Sequence, residues 1–573
     1  MSAWNTLNAT VNGKLIHNQP LAESCYPGPR YNPTSCQYIS NGWANSSIIS
    51  LDPLGYSYPL FDTCPPVNTS VAQYPTCDLG NCPVYTIDAT NAKDIATGIK
   101  FAKENNVRLV IKNTGHDIVG RSQGYDSLMI WIKHIQHGVN FHERYISPSG
   151  CPSNWTGAAF TVSGGYAWGD LYNEAAARDH MAVGGNDPTV GVIGGYIQGA
   201  GHGPASHHFG LATDQVLEMT VVLASGKIVI ASACQNPDLF TALRGGGGGT
   251  YGVVVSVTIK AFPTHPVLTH NLGVIPLNAA LPALLNVTSN IVPKYPVLSD
   301  AGFSGYGTVG PTALLGISTD APGIYGHIFG KMLPRDNVSA TASIQHAKNT
   351  VNKHLIEDLL PYNGTAFLIT SEWTVYSSFY EYYSNTGGQA PVGSTDIAIT
   401  SRLFDKRALE NNEQKLEAMM QTVFSTHNDN NTLSTDDTLL YLCLIGGGRV
   451  LHPQPYISVN PGWRKTYLLS EILATWPKDA SSDVIQTIKD DVTHRKMNAM
   501  RALTPGMGSY LNEADRHDPS WKEDFWGQNY AWLRSVKEKY DPDGVFWCYP
   551  CVGSEGWGEV TAGRGYGPLC TKE

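Results

Sequence analysis

Apolar and polar positions follow two rhythms along this chain. In NAKDIATGIKFAKENN, Ile95, Ile99 and Ala102 recur at the spacing of one helix face, so the segment predicts a helix. It runs into a short apolar strand, VRLVIK, at 107–112. FTVSGGYAWGDLYNEAAARDHMAVGG reads as a strand followed by a helix, and VLEMTVVLASGKIVIAS as a hairpin turning at Ser225 and Gly226. GVVVSVTIKAF predicts a strand that closes this region near 262. From 270 to 500, strand-like GVIPL and LLYLCLIGGG mix with helix-like RALENNEQKLEAMMQTVF, an α+β pattern without internal repeats. FWGQNYAWLRSVKEKY then predicts a short helix ended by the Asp-Pro-Asp-Gly turn at 541–544, in a tail expected to pack back on the first half. Residues 1–79 are rich in Pro, Ser, Asn and Cys with no sustained period, which predicts an irregular, disulfide-stapled extension.

Composition narrows the class. Of 573 residues, 42% are hydrophobic and 15% charged, which fits a packed globular chain and excludes a disordered or fibrous one. A formal charge of −10 speaks against a surface that tracks phosphates, so nucleic acid is not an expected partner. Neither a spanning apolar run nor a basic amphipathic stretch is present, so no membrane partner is expected. Of eleven cysteines, Cys25, Cys36, Cys64, Cys77 and Cys82 crowd the start of the chain and Cys548, Cys551 and Cys570 its tail, where a segment with little core gains most from disulfides. Eight N-x-S/T acceptor sites, at Asn8, Asn45, Asn68, Asn154, Asn286, Asn337, Asn363 and Asn430, add the expectation of N-glycans on a secreted protein whose signal peptide has been removed.

Several signatures are missing: H-E-x-x-H, a P-loop and a G-x-S-x-G elbow. Gly247, Gly249 and Gly252 satisfy G-x-G-x-x-G, but a helix precedes them and a strand follows, the reverse of a nicotinamide-nucleotide turn. Two glycine-rich turns that follow strands remain, KNTGHDIVGRS at 112–122 and NDPTVGVIGGYIQGAGHGP at 186–204. Glycines let the backbone approach a ligand and turn successive N–H groups towards an anion, which suits a pyrophosphate carrying a large aromatic group.

VRLVIKNTGHDIVGRS, GVIGGYIQGAGHGP, FGLATDQVLEMTVVLASGKIV and NPDLFTALRGGGGGTYGVVVSVTI together resemble the FAD-binding (PCMH-type) domain of the vanillyl-alcohol oxidase superfamily. The closing SYLNEADRHDPSWKEDFWGQNYAWLRSVKEKYDPDGVFW is similar to its berberine-bridge-enzyme-like branch. The resemblance covers about 80–265 and 505–550. It implies an α+β fold in two lobes: a bipartite FAD-binding domain at 80–265, completed by 501–573, and a substrate-binding domain at 266–500 with an antiparallel sheet covered by helices. Residues 1–79 form the Cys-rich extension.

The resemblance also implies site residues. His116 is the position that attaches covalently to the flavin 8α-methyl group, with Asn113, Thr114, Gly115, Asp117 and Gly120 around the pyrophosphate. Where many members have a second, cysteinyl tether, this chain has Asp187, so a single link through His116 is expected. Val190 matches a position where valine goes with oxygen access. Gly191, Gly194, Gly195, Gly199 and His202 belong to the second turn, and Gly252 with Val254 to a strand on the adenine side. In the closing Y-x-N-Y element, Tyr510 and Asn512 match and Glu513 stands where the family commonly has its basic Tyr. Hydride removal from an alcohol needs a base for the hydroxyl proton, and Glu513 and Tyr510 are both candidates. The implied function is a secreted FAD-dependent oxidase that passes hydride from a small-molecule alcohol, or a related activated carbon, to covalent flavin and then to O2, giving H2O2. The alternatives are an oxidative cyclase or dehydrogenase of secondary metabolism and a carbohydrate oxidase. Tyr306, Arg402, Trp463 and Arg464 are further polar or aromatic candidates in the substrate region, and His207 and His208 lie beside the second turn. The Cys548–Cys551 pair reads as a disulfide, and no metal is expected.

Overall fold

The computed structural model describes residues 2–43, 45–55, 64–66, 76–147, 150–151, 154–277, 281–311, 323–388, 397–425, 438–476, 480–561 and 565–572. Among the described residues the first lobe is built mainly on two sheets. Strands Tyr85–Asp88, Leu128–Trp131 and Leu109–Lys112 run parallel, and Leu15–His17 adds antiparallel at the edge. The helix predicted from Ile95, Ile99 and Ala102 spans Ala92–Glu104 and buries that face. Asn91 starts it by accepting hydrogen bonds from Lys93 N and Asp94 N at 2.9 and 3.1 Å, two of the donors a helix N-terminus leaves unpaired. A Cβ at Gly98 would stand 2.7 Å from Ile87 Cδ1, so the missing side chain sets how closely helix and sheet approach.

The second sheet is five-stranded and antiparallel, in the order Val139–His142, Ala159–Ser163, Val253–Lys260, Val216–Val222, Ile228–Ser232. Its last two strands are the expected hairpin. The helix Pro237–Leu243 precedes the 245–252 glycines and the strand Val253–Lys260 follows them, the reversed context read from the sequence.

The second lobe is built on a seven-stranded antiparallel sheet, ordered Phe367–Tyr376, Val267–Pro276, Ile324–Met332, Ser304–Gly310, Thr438–Leu444, Thr466–Thr475, Ile397–Asp405. Side chains alternate between the faces of a strand, and here the alternation divides structure from chemistry. Leu440, Leu442, Leu468 and Ile472 pack beneath the helices Leu281–Ile291, Glu413–Val423 and Met497–Leu503. Tyr306, Tyr441, Cys443 and Leu469 belong instead to a second cluster that includes Trp463 and Tyr510.

The closing segment returns to the first lobe through helices Trp521–Trp526 and Tyr530–Tyr540. Trp526 Nε1 donates to Gly245 O at 3.2 Å, and the buried Lys537 Nζ donates to Thr250 O at 2.8 Å. The N-terminal extension is more regular than its composition suggests. Ala3–Thr10 is helical, Trp4 stacks on Tyr85 with centroids 4.2 Å apart, and Leu7 and Val11 enter the core. An eight-residue helix offers too short a pattern to register as a period, and tertiary packing supplies its stability.

Disulfides join Cys25–Cys36, Cys64–Cys77, Cys151–Cys234 and Cys548–Cys551. The acceptor asparagines Asn45, Asn154, Asn286, Asn337 and Asn363 are exposed and Asn8 is half-buried, while Asn68 and Asn430 lie outside the described residues. Among the described residues, no helix is long and apolar enough to cross a membrane.

Candidate functional site

Both glycine-rich turns open on one cavity. Asn113, Thr114, Gly115, His116, Asp117, Asp187, Val190, Gly191, Gly194, Gly195, Gly252 and Val254 line it, together with Tyr510, Asn512 and Glu513 from the closing segment. Segments far apart in sequence meet here because the tail folds back. Gly120, Gly199 and His202 stand just behind the wall. Gly120 has φ +77° and closes the first turn by donating to Asp117 O at 3.3 Å. A Cβ on Gly199 would lie 2.5 Å from Asn512 Nδ2, so this glycine makes room for the closing segment.

The wall is poor in side chains and rich in backbone. A Cβ at Gly191 would approach Asn113 Nδ2 to 2.4 Å, and one at Gly248 would approach Gly195 Cα to 3.1 Å. Asn113 Oδ1 and Nδ2 and Gln198 Oε1 are buried at this wall without a hydrogen-bond partner among the described residues. Buried polar atoms are rarely left unpaired, so these are positioned for polar groups of a bound molecule.

On one side of the cavity, His116 Nε2 lies 2.5 Å from Thr189 Oγ1 and 4.0 Å from Asp187 Oδ1. Asp187 Oδ1 accepts hydrogen bonds from Thr189 Oγ1 at 2.7 Å and Thr189 N at 2.8 Å. Burial holds the imidazole below its usual range, with Asp187 pulling the other way. Val190 is half-buried in the same wall, and its carbonyl accepts from Trp168 N at 2.9 Å.

On the closing-segment side, Asn512 fixes the geometry. Its Nδ2 donates to Tyr510 Oη at 2.7 Å and to Gly195 O at 3.0 Å, while its Oδ1 accepts from Arg121 Nη2 at 2.7 Å. Tyr510 is buried, and burial followed by the neighbouring Glu513 pushes its phenol far above the usual range. It therefore keeps its proton.

Glu513 meets His202, whose Nε2 lies 3.1 Å from Glu513 Oε2 and whose Nδ1 lies 3.3 Å from Tyr306 Oη. The third member is Glu471, from the middle of the strand Thr466–Thr475, on the same face as Leu469. In register it stands opposite Tyr441 and Ser401. One oxygen of each carboxylate and one ring nitrogen of His202 lie within 4.8 Å of one another. Burial, then the charge of Glu513, pushes the Glu471 carboxyl well above the carboxylate range. For Glu513, burial also acts upwards, but His202 and a hydrogen bond from Glu471 outweigh it and hold the group below its usual value. Two carboxyls this close favour sharing one proton. Glu471 keeps it and Glu513 is ionised.

The remaining candidates divide. Tyr306 and Trp463 flank His202, with ring centroids 6.1 and 6.4 Å from it. Arg402 is buried in a structural pair with Asp524 at 2.5 Å, and Arg464 forks onto Asp214 at 2.7 and 3.0 Å. His207 packs under Gly447 and Gly448 and His208 against His265 and Phe209, away from the cavity. Sequence reasoning missed Glu471 and Arg121. A lone acid inside the apolar run TYLLSEILAT was the available signal for Glu471, because a buried strand seldom carries a carboxylate without a use. Arg121 had no comparable signal.

The FAD binding domain family matches residues 83–232, and the berberine and berberine-like family matches residues 509–551. The FAD-linked oxidoreductase apf9 of Gibberella fujikuroi is 37% identical over 576 residues, covering 98% of this chain and 94% of that protein. The FAD-linked oxidoreductase hmp9 of Hypomyces subiculosus is 36% identical over 569 residues, covering 98% and 87%. The VAO-type flavoprotein MtVAO713 from Myceliophthora thermophila C1 is similar in structure, with a TM-score of 0.89 at 36% identity over 99% of this chain and 97% of that one.

Proposed function

This chain belongs to the FAD-linked oxidoreductases of the vanillyl-alcohol oxidase superfamily, in its berberine-bridge-enzyme-like branch, and from that premise we propose that it is a secreted oxidase. Its substrate is a small molecule bearing an alcohol or a related activated carbon. The proposed organisation is a Cys-rich extension at 1–79, a bipartite FAD-binding domain at 80–265 and 501–573, and a substrate-binding domain at 266–500. The exposed acceptor asparagines and four disulfides support secretion and N-glycosylation.

The cavity suits FAD. Its glycine walls allow close backbone approach, and Asn113 and Gln198 offer polar atoms that lack partners among the described residues. Asn113, Thr114, Gly115, Asp117, Gly191, Gly194, Gly195, Gly252 and Val254 would hold the cofactor, and His116 would carry it covalently, without a second link at Asp187. When bound, flavin supplies a hydride acceptor and passes the electrons to O2 as hydrogen peroxide.

The residues of this chain handle the proton. Glu513 takes it from the substrate hydroxyl, because it is the ionised member of the pair and lines the cavity. Glu471 and His202 keep it ionised and correctly aimed, and the neutral Tyr510, which lines the cavity, donates to substrate oxygen. The convergence of Glu513, Glu471 and His202 beside the His116 cavity is the observation that carries this reading. Val190, which lines the same cavity, is the proposed point of oxygen access.

The same pair supports a second reading. A protonated Glu471 beside an ionised Glu513 can protonate one end of a substrate while accepting a proton from the other, which an oxidative cyclase requires.

The test is an absorption spectrum of the purified protein, acid precipitation to follow the yellow colour, and a screen of alcohols with peroxide detection. Flavin in the pellet and peroxide formed with a substrate are expected. Flavin reduced by substrate with little peroxide would favour the cyclase or dehydrogenase reading.

A further inference from the structure

We propose that Asp187 and Thr189 act as a tautomer lock that makes His116 Nδ1 the nucleophile for its own attachment to flavin. The inference rests on the covalent link proposed above and adds what drives it. Asp187 occupies the position where a second tether is missing, and the geometry gives it a different task.

A threonine hydroxyl has one proton to give. Asp187, as a carboxylate, only accepts, and its Oδ1 lies 2.7 Å from Thr189 Oγ1, so the hydroxyl proton sits between these two oxygens. The backbone N–H of Thr189, 2.8 Å from the same Oδ1, fixes the carboxylate in place. Thr189 Oγ1 then has only lone pairs left for His116, whose Nε2 is 2.5 Å away. Nε2 must therefore carry the hydrogen, and in the neutral ring Nδ1 must be bare. Among the described residues only Nε2 of His116 is hydrogen-bonded, and the ring lines the cavity. The arrangement matches the way a carboxylate fixes the tautomer of a histidine whose other nitrogen does the chemistry. Burial keeps the ring neutral, so the lone pair on Nδ1 is available.

In the attachment step, His116 Nδ1 forms a bond to the 8α-methyl carbon. One C–H bond of that methyl breaks, its proton leaves to solvent, and its electron pair passes into the flavin ring. The Nε2 proton moves to Thr189 Oγ1 as the Thr189 proton moves to Asp187, so the alkylated imidazole ends neutral. Dioxygen then withdraws the two electrons with two protons and leaves as hydrogen peroxide, which restores the oxidised ring.

The experiment compares wild type with Asp187→Asn, Thr189→Val, Thr189→Ser and His116→Ala. Native absorbance gives total bound flavin, and acid precipitation with intact mass gives the covalent fraction. Wild type and Thr189→Ser should hold flavin in the pellet. Asp187→Asn and Thr189→Val should be yellow when native yet release flavin to acid, with attachment slowed by about tenfold or more. If either of those two fails to fold, the other decides. Equal covalent fractions and rates in wild type, Asp187→Asn and Thr189→Val would overturn the lock while leaving His116 as the attachment point. Release of all flavin from wild type would overturn the attachment itself, and the lock with it.

Discussion

Glu471, from the middle of a second-lobe strand, and Glu513, from the closing segment, bring carboxylate oxygens within 4.8 Å of each other around His202. Neither is an acid–base group alone. Burial and Glu513 keep Glu471 protonated, and His202 with Glu471 keeps Glu513 ionised. The two environments push two chemically similar groups apart, which is how one site obtains an acid and a base at the same pH.

Glu513→Gln should slow flavin reduction by about a hundredfold or more, the usual contribution of a positioned base. Anaerobic stopped-flow reduction by a screened substrate measures it. The pH profile carries more information than the rate. With its ionisation held below the usual carboxylate range, Glu513 should support a level rate from neutral pH into mild acid. Glu471→Leu removes the hydrogen bond from Glu471 and should move the acid limb to higher pH, whereas Glu471→Gln can still donate and should move it less. An acid limb unchanged in Glu471→Leu would separate the two residues functionally.

Glu471 also makes a stability prediction. Its folded pKa lies above the unfolded value near 4.5, so the folded state prefers the protonated form. That preference is fully present below the unfolded pKa and is lost as pH rises towards the folded one. Glu471→Gln, which mimics the protonated group, should therefore lose less melting temperature than wild type between pH 5 and 8. Parallel melting curves across this range would show that Glu471 is ionised in the folded protein.

The contrast between these two acids shows what a sequence reveals. Glu513 stands beside Tyr510 and Asn512 in a short segment whose order and spacing survive as a motif, so it could be named as a base from the text alone. The choice between Glu513 and Tyr510 could not be made there, because it depends on burial of the phenol and on His202, which arrives from the second glycine turn. Glu471 acquires its role only when the sheet sets it on the face of Leu469 and Tyr441. The helix at Ala92–Glu104 and the 216–232 hairpin were readable because their apolar period and turn residues are local. The pairing order of the seven-stranded sheet was not, since each neighbour is chosen by contacts distant in sequence.

Arg402 supplies a different kind of test. It is buried, donates from Nη1 to Asp524 Oδ1 at 2.5 Å and from Nε to Thr504 Oγ1 at 2.9 Å, and Nη2 reaches the carbonyls of Thr504 and Met507. Arg402→Met would leave Asp524 with Arg501 as its remaining cation, 2.7 Å away, beside the carboxyl of Asp518. Breaking a buried pair from one side costs about 3–5 kcal/mol. Chemical denaturation should show a loss of this size, while the fraction that stays folded keeps its substrate KM. A raised KM with normal stability would instead make Arg402 a substrate contact.

Part of the acid sensitivity should reside in the second lobe. His270 is fully buried, its ring centroid 4.4 Å from Trp373, with Nε2 2.8 Å from Ser371 Oγ and Nδ1 without a partner among the described residues. Burial lowers its pKa to about 4. The folded state thus refuses a proton that the unfolded chain takes up once pH falls below about 6.5. Stability is present above that value and drains away as pH drops towards 4. Between pH 7 and 5 this one group should cost on the order of 2 kcal/mol. His270→Phe keeps a flat ring in the aromatic stack and removes the titration. It should leave the melting temperature at pH 8 nearly unchanged and raise it at pH 5 relative to wild type. An equal shift at both pH values would mean that packing, not protonation, sets the contribution of His270.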